Sequence, residues 1–255
     1  MYMKLSKQLL FIICVLILLV IFIKGYLLKN IEYMSQQYTA IIVEPREHKA
    51  LVFVLNNFCS NLDENWNIIV LHGNQNEHFI KNKLETDLKK HKHRITLTNL
   101  GVNNLSLEEY NQLLTSQNFY SYIPTEQFLI FQTDTLICGD YKDQIYEFMD
   151  YDYVGAPNPE WVGNGGLSLR KKSLMIKAID DKKLGESFWP EDRYFTFVKK
   201  DITNPAPFNI ANKFSVEKFY YPNPFGIHKC WKYLKDDDYI KLTKKYNQIN
   251  LLDKF

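Results

Sequence analysis

Between residues 38 and 134 the sequence alternates between strand-like and helix-like segments, and no other feature constrains the fold as strongly. Apolar runs with the composition of buried strands occupy 38–44, 67–73, 94–100 and 128–134. Helix-like segments lie between them at 48–62, 76–91 and 106–116, the last opening with the capping-box pair Ser106 and Glu109. The alternation predicts an α/β fold with a doubly wound, mostly parallel sheet.

After Asp134 the alternation becomes less regular. Short helix and strand patterns occur within 140–157, 163–180 and 190–200, and a polar tail rich in proline and aromatic residues follows. No internal repeat, low-complexity stretch or linker is found past residue 37. We therefore predict one domain over 38–255, with a less regular C-terminal half.

The N-terminal segment has a different character. Residues 9–23 contain no charged side chain and are flanked by lysines on both sides. This pattern predicts a transmembrane signal anchor over 9–28, after a short tail at 1–8 and before a linker at 29–37; the alternative is a cleaved signal peptide. With the N-terminus in the cytosol, the domain would be lumenal in an ER- or Golgi-like compartment. The formal net charge of +2 argues against a nucleic-acid partner.

Polar residues follow the predicted strands at their carboxyl ends, where doubly wound sheets bind ligands. The first strand ends at Glu44-Pro45-Arg46, and the fourth ends at Gln132-Thr133-Asp134. A carboxylate in this position can hold Mg²⁺ or Mn²⁺. It can equally close the strand with an Asx-turn, and the residues alone leave both readings of Asp134 open.

The segment GNGGLSLR at 163–170 contains three glycines, but its spacing and its strand-like continuation do not match a dinucleotide-binding loop. Gly165 and Gly166 would let the backbone approach a ligand closely, and Asn164 could donate and accept hydrogen bonds there. The alternative is a simple tight turn.

Two further motifs carry titratable side chains. Glu191 and Asp192 follow a proline at a predicted helix start, where they would either complement the helix dipole or serve as a general base. His228, beside Lys229, could complete a divalent metal site, with the lysine meeting phosphate, or could be structural.

The motifs FLIFQTDTLIC, YDYVGAP, GNGGLSLR, EDRYF, FSVE and IHKCW occur in this order, and VEPREHKALVFVLNNF precedes them. Together they resemble an uncharacterised glycosyltransferase-like family that is frequent in large DNA viruses and some microbial eukaryotes. The resemblance covers the chain from Thr39 to about Trp231. It implies the GT-A type of nucleotide-sugar-dependent glycosyltransferase, whose hallmark is an Asp-x-Asp element after a core strand.

The resemblance implies roles for the polar residues. Asp134 would match the second Asp of that element and bind Mn²⁺ or Mg²⁺ together with His228, while Lys229 would lie near the diphosphate. Gln132 stands where the first Asp usually sits, and an amide is a poorer ligand that carries no charge. Residues 44–46 would lie under the nucleoside.

The same resemblance places residues 164–166 around the donor sugar and the acceptor, and it makes Asp192 the base, with Glu191 as its rival. The implied function is a membrane-anchored glycosyltransferase of the hexosyltransferase type. It would move a sugar from a nucleoside-diphosphate sugar to a hydroxyl of a glycan, protein or lipid. The alternative, motivated by Gln132, is a non-catalytic carbohydrate-binding or assembly module on a degenerate GT-A fold.

Overall fold

The computed structural model describes residues 15–22, 24, 37–188 and 190–255. The chain divides into two units, Met1–Gln37 and Tyr38–Phe255. In the first unit, residues 15–22 form an apolar helix with exposed side chains. Within the described residues, no helix combines the length and the apolarity needed to cross a membrane. Most of the predicted anchor, including residues 9–14 and 25–28, lies outside them.

Nine strands in the described residues form two sheets. The strands are β1 (Tyr38–Val43), β2 (Trp66–His72), β3 (Ile95–Asn99), β4 (Gln127–Phe131), β5 (Thr135–Ile137), β6 (Tyr153–Gly155), β7 (Leu167–Lys171), β8 (Ser215–Val216) and β9 (Gly226–His228). The larger sheet has the order β3-β2-β1-β4-β7-β6, and the smaller has the order β5-β9-β8.

The larger sheet is mixed. The pairs β1–β2, β2–β3 and β1–β4 are parallel, as the strand–helix alternation predicts, whereas β4–β7 and β6–β7 are antiparallel. The prediction of a mostly parallel sheet is therefore confirmed, since three of the five strand pairs are parallel. The antiparallel pairs involve the second half of the chain, where β6 returns directly as β7 without the crossover helix that parallel pairing requires.

The helices of the first half cover this sheet. They are α1 (Leu51–Asn61), α2 (Glu77–Glu85), α3 (Leu107–Leu114) and α4 (Gln117–Ser121), and α5 (Lys172–Asp180) follows β7. The predicted helix at 76–91 stops early, because Thr86 leaves helical geometry and a 3₁₀ turn takes over at Lys89–Arg94. The capping box is present: the Ser106 hydroxyl accepts from Glu109 N–H, and Glu109 accepts from Ser106 N–H.

Alternate residues of the central strands point to opposite faces of the sheet, and both faces are buried. On β1, Ala40 and Ile42 belong to one core cluster, whereas Ile41 and Val43 belong to another. A strand that is apolar on both faces needs cover on both, which explains the unbroken apolar runs in the sequence.

Short elements build the C-terminal half. They are a 3₁₀ segment (Gly139–Phe148), α6 (Glu191–Arg193), a π-helix (Tyr194–Val198), α7 (Lys200–Thr203), α8 (Phe208–Phe214), a 3₁₀ turn (Cys230–Lys232), α9 (Asp236–Lys245) and α10 (Ile249–Leu252). Cys59, Cys138 and Cys230 are buried free thiols. The strand β9 is the centre of the smaller sheet and ends at His228.

Candidate active site

A polar cleft lies where the strand order of the larger sheet reverses. The chain runs from β1 outward to β2 and β3 on one side, and then returns to place β4 on the other side of β1. Ligands of doubly wound sheets bind outside the carboxyl ends of strands at such a switch point. A cleft of about 310 Å³ opens there, lined by residues 43–46, 104–107, Tyr110, 132–134 and Lys229.

Glu44 and Arg46 form one wall of this cleft and pair with each other. Arg46 Nη2 lies 2.8 Å from Glu44 Oε2, and Arg46 Nε donates to Oε1 at 2.8 Å. Asn76 Nδ2 donates to both of their backbone carbonyls, at 2.7 and 2.8 Å. Glu44 is buried, whereas about half of the Arg46 side chain is exposed. The loop after β1 thus presents a fixed guanidinium to the cleft.

Asp134 meets two basic side chains from the distant segment 228–229. Its Oδ1 lies 3.4 Å from His228 Nε2, and its Oδ2 lies 3.3 Å from Lys229 Nζ. Lys229 N–H also donates to the Asp134 carbonyl at 3.0 Å. Lys229 adopts a left-handed backbone with φ 47°, which is uncommon for a residue with a side chain. The structure therefore brings together the three residues that the sequence analysis assigns to the metal and the diphosphate.

The charges of this cluster shift its protonation equilibria. Burial alone would raise the pKa of Asp134, but His228 and Lys229 together hold it well below its usual range. Burial lowers the pKa of His228, whereas the carboxylates of Asp134 and Glu217 on either side raise it above its ordinary value. The imidazole of His228 and the ammonium of Lys229 therefore both favour the ionised form of Asp134.

The donor set can be compared with what a divalent ion requires. Asp134 Oδ1 and His228 Nε2 are both buried and lack a hydrogen-bond partner. Neighbouring ligands of one small divalent ion, each bound at about 2.1 Å, lie roughly 3 to 3.5 Å apart. The separation of 3.4 Å fits this requirement. Among the described residues no set of three His, Cys, Asp or Glu side chains surrounds a single point, so a diphosphate and water would supply the remaining ligands, as they commonly do for Mg²⁺.

The side-chain amide of Gln132 donates a hydrogen bond to the Tyr110 hydroxyl at 3.0 Å. Among the described residues, no hydrogen bond joins the Gln132 side chain to Asp134, His228 or Lys229. Tyr110 and Gln132 line both the large cleft and a second recess of about 150 Å³. The pair thus forms the partition between the two spaces, a role that the sequence analysis did not assign to either residue.

The second recess contains Asp192 beside the glycine pair. Its lining also includes Asn164 and His228. Asp192 Oδ2 accepts from Gly165 N–H at 3.2 Å, and Oδ1 accepts from Arg193 N–H at 2.7 Å. Burial, followed by the negative charge of Glu191, raises the pKa of Asp192 to about 6. A carboxylate with a pKa near neutrality is suited to accepting a proton.

Glu191 faces away from this role. Both of its carboxylate oxygens accept from the Arg170 guanidinium at 2.9 Å, and both residues are buried. The guanidinium also lies over the ring of Tyr153, 4.5 Å from its centre. Because Arg170 occupies both oxygens of Glu191, the geometry favours Asp192 over Glu191 as a base.

Gly165 and Gly166 are packed closely against side chains of the protein itself, and their predicted approach to a ligand stays a prediction. A Cβ atom at Gly165 would lie 2.2 Å from Glu191 Oε1, so a larger residue would displace the buried ion pair. Asn164 Oδ1 accepts from Gly166 N–H at 2.8 Å and fixes the turn. The close neighbours of this turn are the protein's own side chains.

Glu217 belongs to the cluster but was given no role from the sequence. Its Oε1 lies 3.6 Å from His228 Nδ1, and its side chain is almost fully buried. The motif FSVE drew attention to the segment, but the strand β8 that precedes Glu217 has only two residues and gives no recognisable pattern in the sequence.

Comparison with solved structures supports the fold. The apo form of glycosyltransferase GlyE from Streptococcus pneumoniae TIGR4 aligns with a TM-score of 0.50 and 11% identity, over 85% of this chain and 62% of that one. The mannosyltransferase PcManGT from Pyrobaculum calidifontis, in complex with GDP-Man and Mn²⁺, gives a TM-score of 0.41 and 14% identity over 55% and 46%. The apo bifunctional glycosyltransferase WbbM gives 0.47 and 11% over 83% and 44%.

This chain spans less than two thirds of the length of each of these three structures. The likeness to GlyE shows a glycosyltransferase-like mixed α/β fold with a parallel-rich sheet. No curated protein sequence matches the chain.

A family model matches residues 94–228, which run from just before β3 through Asp134 and Asp192 to His228. The match covers more than half of the chain. Its description assigns no activity. The chain belongs to the family described as "Protein of unknown function (DUF5672)".

Proposed function

We propose that this protein is a glycosyltransferase of the hexosyltransferase type, which moves a sugar from a nucleoside-diphosphate sugar to an acceptor hydroxyl. One observation carries the proposal. Two buried, unpartnered ligand atoms, Asp134 Oδ1 and His228 Nε2, lie 3.4 Å apart between a polar cleft and a recess that contains a carboxylate of raised pKa.

The donor would occupy the cleft of about 310 Å³, which lies at the lower end of the size range of small-molecule sites. The nucleoside would rest against the loop of residues 44–46, whose conformation Asn76 fixes. The Arg46 guanidinium and the Lys229 ammonium would approach the diphosphate, since both line the cleft and both can donate charge-assisted hydrogen bonds.

Asp134 and His228 would hold Mn²⁺ or Mg²⁺. A divalent ion there would neutralise negative charge on the diphosphate as the sugar–phosphate bond breaks. Lys229 would exchange its contact with Asp134 for one with a phosphate oxygen, so that the ammonium follows the charge that develops on the leaving group.

Asp192 would take the proton from the acceptor hydroxyl in the smaller recess. Its Oδ2 is held by Gly165 N–H, which fixes the carboxylate in the recess lined by residues 164–166. Proton removal by a carboxylate opposite the leaving group makes the hydroxyl oxygen the nucleophile, and the product then has inverted configuration at the anomeric carbon.

Calorimetric titration of the full chain with UDP and with GDP, each with and without Mn²⁺, tests the proposal. We expect at least one nucleotide to bind only when Mn²⁺ is present, and Asp134→Asn to weaken that binding by at least about tenfold. Asp238→Asn is the matched control, because Asp238 pairs with Lys241 at the surface of α9. Absence of nucleotide binding under all conditions would overturn the proposal.

The non-catalytic alternative predicts a different result. A carbohydrate-binding module would bind free sugars with equal affinity in the presence of a chelator, and it would release no nucleoside diphosphate from any nucleotide sugar. Chelator-sensitive release of the diphosphate would exclude this alternative.

We further propose that the domain is attached to a membrane through residues 9–28 and faces a lumen. This proposal is supported by the absence of charge over residues 9–23 and by the lysines on both sides. Alkaline extraction of cell membranes tests it: the full chain should stay with the membranes, and a chain that lacks residues 1–37 should not.

A further inference from the structure

The smaller sheet places His228 between two carboxylates. His228 ends the central strand β9, and it lies opposite Thr135 in the antiparallel pair with β5, so Asp134 comes next to it on one edge. On the other edge, the parallel pair of β8 and β9 aligns Val216 with Ile227. Glu217 is the residue directly after β8, and it is therefore level with His228.

The side chains meet as this register requires. His228 Nε2 lies 3.4 Å from Asp134 Oδ1, and His228 Nδ1 lies 3.6 Å from Glu217 Oε1. Both ring nitrogens and Glu217 Oε2 are buried without hydrogen-bond partners. Unpartnered buried polar atoms are uncommon in folded proteins, and several of them on facing side chains indicate a network that closes in the working protein.

We infer that Glu217 is a positioning residue that accepts the Nδ1–H of His228 and so leaves the Nε2 lone pair free for an ion that Asp134 also binds. A shift of about 0.5 Å would bring Nδ1 and Oε1 within hydrogen-bond distance. Glu217 lies behind the ring, on the side opposite Asp134, so it cannot share an ion with Nε2. The inference rests on the proposed function in one respect, namely that a divalent ion binds to the Nε2 lone pair.

Substitutions at residue 217 distinguish a side chain that accepts a hydrogen bond from His228 from one that only fills the space. A glutamine can still accept the Nδ1–H through its amide oxygen, whereas a leucine or a methionine cannot. Glu217→Gln should therefore preserve the tautomer, and Glu217→Leu should not. Glu217→Met is a second apolar variant in case the branched side chain prevents folding, and thermal melting identifies the variants that fold.

The tautomer is measured first, without metal or nucleotide. The ¹⁵N chemical shifts of the histidine ring nitrogens are recorded on the full chain at a pH where His228 is neutral, and the loss of signals in His228→Asn assigns them. Because Asp134 competes for a proton on Nε2 when no ion is bound, we expect a larger share of the Nδ1–H tautomer in the wild type and in Glu217→Gln than in the apolar variants. Unchanged shifts in Glu217→Leu would overturn the inference.

The second measurement is a Mn²⁺ titration of the same proteins followed by electron paramagnetic resonance. Loss of an outer-shell partner of a metal-bound histidine typically weakens binding about 10- to 100-fold, which we expect for Glu217→Leu. Glu217→Gln should lose less than about tenfold. Glu85→Leu is the control, because Glu85 is an exposed residue at the end of α2, paired with Lys92.

The two measurements distinguish this inference from the proposed function. If the tautomer result is as expected but Mn²⁺ binds to none of the proteins, the orientation of His228 by Glu217 stands and the metal-dependent function fails. If Mn²⁺ binds the wild type and Glu217→Leu equally, the metal site stands and the positioning role of Glu217 is overturned.

Discussion

A Cβ atom placed on Gly166 would lie 2.2 Å from Nε2 of His228. Gly166→Ala must therefore push the imidazole away from Asp134 or shift the turn itself. We expect the free energy of unfolding to fall by about 1–3 kcal/mol, the usual effect of overpacking. The affinity for nucleotide in the presence of the metal should fall by more than the loss of stability explains. Titration calorimetry at a temperature well below the melting point measures this affinity on folded protein.

Gly139→Ala is the matched control for this glycine. Its Cβ would meet only the end of the Asn61 side chain, at 3.0 Å, which can move aside. The prediction is contradicted if both alanine variants bind nucleotide as the wild type does.

The raised pKa of Asp192 predicts how activity depends on pH. A carboxylate accepts a proton only when it is ionised, and burial raises the pKa of Asp192 to about 6. Transfer activity, measured as kcat/KM, should therefore rise with pH through about 6 and level off above it. Asp192→Asn should lose about 10²–10⁴-fold in kcat, the contribution of a positioned base, and its residual activity should lack this limb.

The same shift has a consequence for stability. Because the folded-state pKa of Asp192 lies above its usual range, folding favours the protonated form, and this contribution is lost as pH rises through about 6. Denaturation with urea at pH 5 and at pH 7.5 measures this effect: the stability of Asp192→Asn relative to the wild type should be greater at the higher pH.

Loss of one partner from the buried pair of Arg170 and Glu191 should be strongly destabilising. Glu191→Gln leaves an uncompensated guanidinium in the interior, and we expect a loss of about 3 kcal/mol in the free energy of unfolding. The double variant Arg170→Met with Glu191→Leu should recover a large part of that loss, since two apolar side chains need no partner. Urea unfolding measures both.

An exposed ion pair provides the comparison. Glu85→Gln breaks the surface contact with Lys92 and should change stability by less than about 1 kcal/mol. If Glu85→Gln and Glu191→Gln lowered the free energy of unfolding by equal amounts, burial of the Arg170–Glu191 pair would not increase the cost of losing one partner.

Lys229 has an unfavourable backbone conformation, and its side chain lines the cleft. A left-handed conformation costs a residue with a Cβ roughly 1 kcal/mol, which glycine avoids. Lys229→Gly should therefore fold at least as stably as the wild type, while losing the ammonium and about 10-fold or more in nucleotide affinity. Asn204→Gly is the control: Asn204 also has a positive φ, of 34°, but lies outside the cleft lining. Asn204→Gly should bind nucleotide with the same affinity as the wild type.

The first half of the fold was predictable because its signals are local. The strands β1, β2 and β4 are rich in apolar residues, and Ser106 with Glu109 marks the start of α3 within four residues. The polar strand ends could also be recognised, since Glu44 directly follows an apolar run and Asp134 lies three residues after one. These features depend on neighbours in sequence, so a single chain is sufficient to reveal them.

Other features depend on contacts that no local pattern records. The strands β8 and β9 have two and three residues, too few for a period to appear, yet their register decides that Glu217 faces His228. Arg170 ends an alternating stretch that is typical of a strand leading to solvent, but it is buried against Glu191, 21 residues away. The proximity of Asp134 and His228 was expected from family resemblance, whereas the side chain behind the imidazole was not.

The rim of the cleft includes Asn104, Leu105 and Ser106, a triplet that also forms an acceptor sequence for N-linked oligosaccharide. In a lumenal domain, an oligosaccharide on Asn104 would stand in the entrance through which the donor must pass. Such a protein would exist as two populations, one with an open cleft and one whose cleft is blocked by the oligosaccharide. The active fraction would equal the fraction of molecules in which Asn104 is not glycosylated.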